Sequence, residues 1–262
     1  MLTETGWKGF LYSRFRKQEI DLYKVSDFIG CMSPANVEYL LKHNTFLDKK
    51  KVEIAPNSIQ LNDDYDHDNE EKRAVTKRYG LPTDKPIFIY GGNLGQPHGI
   101  PFLMTCLDEV KRRENCHFVI VGTGTYLQTL LEWQGREKPA SVTVMKGLPK
   151  EEYDQLVQAC DIGLIFLDYR FTIPNFPSRL LSYLKYKMPI ISVTDPNCDM
   201  GAIAKKNGFG IYVPSNDKTL FTLAVNRMLD KDIKTMGEKG YKFLREKYLV
   251  ENTYDAIMRH FL

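Results

Sequence analysis

Four short stretches carry residue types that could do chemistry. Gly91-Gly92-Asn93-Leu94-Gly95-Gln96-Pro97-His98-Gly99 follows one apolar run and precedes another. Glycines let a backbone approach a ligand without a Cβ in the way, and free N–H groups where a helix starts suit an anion such as phosphate. A plain tight turn is the alternative. Gly122-Thr123-Gly124-Thr125 is a second such turn, and Lys146-Gly147-Leu148-Pro149-Lys150 could offer backbone groups to a nucleobase edge or simply begin a helix. The fourth stretch is Pro174-Asn175-Phe176-Pro177-Ser178-Arg179. Pro177 suits a first helical turn and Ser178 a cap. The amides of Ser178, Arg179 and Leu180 are then left free. Arg179 adds a planar cation matched to phosphate, unless a surface acid pairs with it.

Several chemistries find no support. The first turn lacks the Gly-Lys-Ser/Thr ending of a P-loop, and neither turn has the Gly-x-Gly-x-x-Gly spacing of a dinucleotide site. No acid ends the second strand to take a ribose, which argues against a nicotinamide oxidoreductase. His43, His67, His98, His117 and His260 show no ligand pairing with each other or with cysteine, so no metal site is expected. Asp168 has no second carboxylate beside it, and no nucleophile elbow is present.

The elements that must position these stretches follow from patterning. From Lys85 onward, short apolar runs ("PIFIY", "HFVIV", "SVTVM", "DIGLIFL", "MPIISV", "FGIYV") alternate with segments of helical spacing. Continuous apolar strands between helices mean a parallel sheet covered on both faces. The expected fold is therefore α/β, a doubly wound parallel six-stranded Rossmann-like sheet. Ligands of such sheets sit beyond the carboxyl ends of the strands, where all four stretches fall. The first eighty residues differ. "DFIGCMSPANVEYLLKHN" reads as strand, turn and helix and "KVEIAPNSI" as a strand, too little to bury a core alone. They look like the end of another α/β sheet. An acidic run from Gln60 reads as a linker ending in a short helix. The tail reads as two helices broken near Tyr248.

With 262 residues, 43% hydrophobic and a formal charge of +3, the composition is globular and too mildly basic to imply nucleic acid. Five scattered cysteines with no Cys-x-x-Cys pair fit a reduced cytosolic compartment. The start of the chain lacks the basic and apolar regions of a secretory leader, and no window is long enough to span a bilayer. Trp7 to Lys24 interleaves aromatics with Lys and Arg. It reads either as a helix packed on a neighbour or as one lying on anionic lipid.

The motifs in order, "SP", "VEIAPNSI", "YGGNLG…HGI", "FVIVGTG", "VMKGLPKEEYDQLVQACDIGL" and "PSRLLSYLKYKMPII", resemble a GT-B fold glycosyltransferase of the family 4 retaining type, in the bacterial capsule and surface-polysaccharide group. The resemblance runs from about Asp21 to the end. It implies residues 1–57 as the remnant of an N-terminal acceptor domain, 58–84 as linker and short helix, 85–247 as the nucleotide-sugar domain, and 248–262 as the helix crossing back. It further implies that the rest of the acceptor domain lies in a longer chain or in a partner subunit.

The activity so implied is glycosyl transfer from a nucleoside diphosphate sugar to a hydroxyl of a saccharide or lipid-linked saccharide. It would be cytoplasmic or peripheral at the inner membrane face, and it would use no metal or other cofactor. Gly92, Asn93, Leu94, Gly95, Ser178 and Arg179 are expected at the diphosphate. Gly122, Gly147, Leu148 and Ser182 are expected at base and ribose, and Asn175 and Phe176 at the sugar. Arg179 and His98 are expected to act on the leaving group. Departures from the family pattern are specific. Asn93 and His98 stand where many members have Arg and Lys. Pro174 and Ser182 stand where members have acids eight apart, and Arg179 takes the place of a Lys. The loss of both acids keeps open a non-catalytic nucleotide-sugar-binding module or subunit, with a sugar-nucleotide epimerase as a weaker third reading.

Overall fold

The computed structural model describes residues 7–61 and 69–261. Residues 62–68 of the expected acidic linker, His67 among them, lie outside the described residues. Helix α1 (Trp7–Val25) leads into strand β1 (Ile29–Cys31), helix α2 (Pro34–His43) and strand β2 (Val52–Ile54). Strands β1 and β2 form a two-stranded parallel sheet, with Ile29 opposite Val52. Helix α3 (Asn69–Arg78) follows.

The second sheet is built from β3 (Ile87–Asn93), α4 (Ile100–Val110), β4 (His117–Thr123), α5 (Leu127–Glu137), β5 (Val142–Lys146), α6 (Lys150–Gln158), β6 (Ile162–Phe166), α7 (Arg179–Lys185), β7 (Ile190–Thr194), α8 (Met200–Lys206), β8 (Gly210–Pro214) and α9 (Lys218–Leu229). Two more helices, α10 (Ile233–Lys247) and α11 (Val250–Met258), end the chain. The strand order is β5-β4-β3-β6-β7-β8, every pair parallel. Chain direction reverses across the sheet between β3 and β6, the place where such sheets open a crevice for ligands.

Alternate side chains of each strand feed two cores, as the pleat requires. Phe88, Phe118, Ile120 and Phe166 meet Leu103, Trp133 and Phe221 from α4, α5 and α9. On the other face Ile89, Val121, Ile165 and Ile190 meet Leu156, Leu180, Ala204 and Leu244. Phe88 and Phe118 stack across β3 and β4 with centroids 4.9 Å apart. Tyr183 of α7 lies where a Cβ on Gly163 would be, 2.3 Å from its ring, so that glycine sets how closely α7 approaches β6. These contacts hold the start of α7 at the strand ends.

The chain runs between the two sheets beside itself. Ile59 N donates to the Tyr248 carbonyl (2.9 Å) and Val250 N to the Ile59 carbonyl (3.3 Å), a parallel bridge between Ile59 and Leu249. Beyond it α11 packs on the first sheet. Thr253 Oγ1 donates to the Pro56 carbonyl (3.1 Å), and Glu53 pairs with Arg259 and His260. The segment after Tyr248 thus returns to the first sheet. Helix α1 is held through Arg16, which bonds Glu19, Asn44 and the His43 carbonyl. Its opposite face leaves Leu11, Phe15, Leu22 and Val25 exposed. No helix among the described residues is long and apolar enough to cross a membrane.

Candidate functional site

A cleft of about 1290 Å³ opens over the ends of β3, β4, β5 and β6. The second sheet brings Gly92, Asn93, His98, Gly122, Gly147, Leu148, Asn175, Phe176, Ser178, Arg179 and Ser182 to its wall, and the first sheet's side contributes Met32 and Asn57. Among the described residues, no Asp or Glu lines it.

Arg179 dominates the electrostatics. Its guanidinium carbon lies 4.5 Å from the centroid of the Tyr90 ring, a cation–π contact. Its Nη2 donates to His98 Nδ1 at 3.4 Å. Its Nη1 is buried with no hydrogen-bond partner, and no carboxylate pairs with it among the described residues. A permanent cation left short of partners is costly, and an anion in the cleft would relieve that cost. The alternative of a surface acid beside Arg179 is thus removed. Gly92 makes room for this side chain. It has φ of +127° and a Cβ there would sit 3.3 Å from Nη2. The Tyr153 hydroxyl occupies the space a Cβ on Gly91 would need.

His98 is a neutral partner. Burial, then the neighbouring Arg179 charge, lower its pKa to about 4, against a hydrogen bond to the Phe166 carbonyl that works the other way. Its Nδ1 therefore accepts from Arg179 and orients it. Asp168 is ionised and does not line the cleft. Hydrogen bonds from Arg170 hold its pKa down at about 2, and Gln96 Nε2 also donates to it.

The structure corrects part of the expected diphosphate site. Leu94 is fully buried in the core and does not line the cleft; its amide donates to the Thr123 carbonyl at 2.7 Å. Gly95 is also buried and off the cleft wall. An apolar residue inside a glycine-rich turn is better read as the turn's anchor to the core. Ser178 has αR geometry and makes no side-chain cap. The Leu180 amide donates to the Pro177 carbonyl at 3.3 Å. Two contributors were absent from the sequence reading: Tyr90 under the guanidinium and Tyr153 over Gly91. Tyr90 ends an apolar run, where an aromatic reads as core, and Tyr153 sits among charged residues of a helix, where nothing marks it as facing a site.

Residues 71–243 match the family described as glycosyl transferases group 1. The chain belongs to that family. A probable glycosyltransferase, WbjE of Pseudomonas aeruginosa, is 23% identical over 164 residues, which are 63% of this chain and 41% of that protein. The chain thus spans about two fifths of this curated relative. Among solved structures, Anabaena HepE in complex with UDP and glucose superposes with TM-score 0.76 at 12% identity, covering 100% of this chain and 70% of that one. Sucrose-phosphate synthase of Thermosynechococcus elongatus gives 0.74 at 16% identity, covering 93% and 59%. These likenesses establish the GT-B fold. The group 1 match begins in α3 and ends in α10, so it takes in the whole second sheet and none of the first.

Proposed function

We propose that this group 1 chain holds a nucleoside diphosphate sugar in its cleft and that the glycosyl group is transferred to a hydroxyl acceptor entering from the first sheet's side. The observation that carries the reading is the buried Nη1 of Arg179, which has no hydrogen-bond partner among the described residues, in a cleft at the switch point of the sheet that no described Asp or Glu lines. Charge on the departing diphosphate is the main chemical burden, and a preorganised cation meets it without reorganisation. Arg179 would stabilise that charge, and neutral His98 would hold Arg179 in place. Asn93 and Ser178 would add donors at the diphosphate. Gly122, Gly147, Leu148 and Ser182 would face base and ribose, and Asn175 and Phe176 the sugar.

On this reading no metal takes part. Turnover that survives a chelator supports it, and turnover restored only by a divalent cation overturns it. On this reading the reaction is of the family 4 retaining type and serves assembly of bacterial surface polysaccharide, in the cytoplasm or at the inner face of the membrane, as the resemblance of the motifs implies. The exposed stripes of α1 and α11 would be covered by the remaining acceptor-side α/β unit rather than by lipid.

A second reading is favoured by the absence of Asp and Glu from the described residues of the wall. Ser182 can bond a ribose hydroxyl only as a neutral group. A donor-binding module without turnover fits these facts. Calorimetry with UDP, GDP and ADP and their glucosyl or mannosyl derivatives tests binding, and an assay for transfer or donor hydrolysis separates the two readings. No binding of any nucleotide would sink both.

A further inference from the structure

The turn between β7 and α8, residues 195–199, lines no part of the cleft, yet it grips the loop that does. Asp195 is fully buried, and its Oδ1 accepts the amides of Asn197 (2.9 Å) and Cys198 (3.1 Å). This fixes the turn as a small rigid body. From it, Asn197 Nδ2 donates to the Phe171 carbonyl (2.7 Å) and the Cys198 thiol to the Asn175 carbonyl (3.1 Å). Burial pushes the Cys198 pKa up to about 12, so the thiol stays a donor.

The same turn reaches the first sheet. Asp199 Oδ2 accepts the Ala35 amide at 2.9 Å, in the first turn of α2, where a carboxylate is favoured by the helix dipole. Helix α2 completes the circuit. The Ser33 hydroxyl donates to Asn36 Oδ1 at 2.9 Å, and the Asn36 Nδ2 so oriented donates to the Pro174 carbonyl at 2.8 Å. The carbonyls of Phe171, Pro174 and Asn175 are thus each held by a donor from outside their loop. Two donors come from the turn and one from the first sheet's helix. That loop carries Asn175 and Phe176 into the cleft.

We propose that residues 195–199 form a clasp that registers α2 with the Pro174–Phe176 loop, making Asn36, Cys198 and Asp199 positioning residues for the glycosyl half of the donor and not for its nucleotide half. The proposal rests on the donor-cleft reading. It adds that the sugar-facing wall takes its shape from the acceptor side, so an acceptor-side unit out of place would loosen the sugar and leave the nucleotide bound.

The test uses the full chain and its variants Asp199→Ala, Asn36→Leu and Cys198→Ala. Each is titrated by calorimetry with UDP and UDP-glucose, GDP and GDP-mannose, and ADP and ADP-glucose. Each variant should bind the free diphosphate within about twofold of wild type and the sugar nucleotide about five- to thirtyfold more weakly, the scale of one or two hydrogen bonds. Cys198→Ser, which keeps a donor, should restore most of the loss. Equal losses for diphosphate and sugar nucleotide, or no loss for either, overturn the proposal. A wild-type chain that binds no nucleotide, or gains nothing from the sugar, refutes or limits the donor reading instead. Hydrogen exchange then decides the clasp. Asp199→Ala should deprotect the first turn of α2 and the amides of residues 171–176 together, and an effect confined to α2 overturns it.

Discussion

The two sheets are made of the same kind of unit and end up in opposite states. In the second, strands are covered on both faces, and residues such as Phe118, Ile120 and Leu164 have no exposed surface. In the first, two strands pair only with each other among the described residues, and the helices around them present apolar side chains to solvent. On α11, Val250, Tyr254 and Ile257 stand at intervals of four and three, one stripe of a helix, and all are exposed. Parallel strands are stable when both faces are covered, and two strands alone are marginal. The contrast separates a unit that covers its own strands from one that leaves apolar side chains exposed.

The largest effect expected from breaking this contrast is in the complete core. Phe118→Ala should cost about 3–5 kcal/mol of stability, read by denaturant unfolding, because Phe88 and Phe221 close around it. Next comes the cleft. Arg179→Ala should weaken nucleotide binding by about 1.5–3 kcal/mol, the range for a bond to a charged group. Unchanged nucleotide affinity would refute the site.

A pH dependence should come from the second sheet. Burial lowers both His98 and His117 to about 4 from an ordinary 6.5. The folded chain therefore binds fewer protons than the unfolded one between those values, so stability is complete above about 6.5 and is lost as pH falls towards about 4. His98→Gln should flatten that loss in a pH series of melting temperatures. The smallest effect is expected on α1. Phe15→Ser, on its exposed face, should change the stability of the chain by less than about 0.5 kcal/mol, and a larger loss would mean that face is already covered in solution.

The second sheet was legible in the sequence because each strand is an unbroken apolar run and each helix keeps its own period. The cleft's address followed from that order, since the switch point is set by topology. What the sequence hid is lateral. Leu94 looked like part of a phosphate turn because its neighbours are glycines, and only packing shows it pointing into the core. Tyr90 was hidden by its apolar run, and Tyr153 by the charged helix turn around it. The clasp joins Asp199 to Ala35 and Asn36 to Pro174, partners 164 and 138 positions apart, and no local pattern carries such a pairing.

The bridge between Ile59 and Leu249 bears on how the two sheets can move. The outgoing and returning connections are fastened side by side along one short line. A pair of strands tied together resists twisting and sliding but yields to folding along its length, as a door yields only about its pin. Rotation about that line would carry α2 towards or away from the Pro174 loop, against the Asp199–Ala35 and Asn36–Pro174 hydrogen bonds. One degree of freedom would then open and shut the cleft.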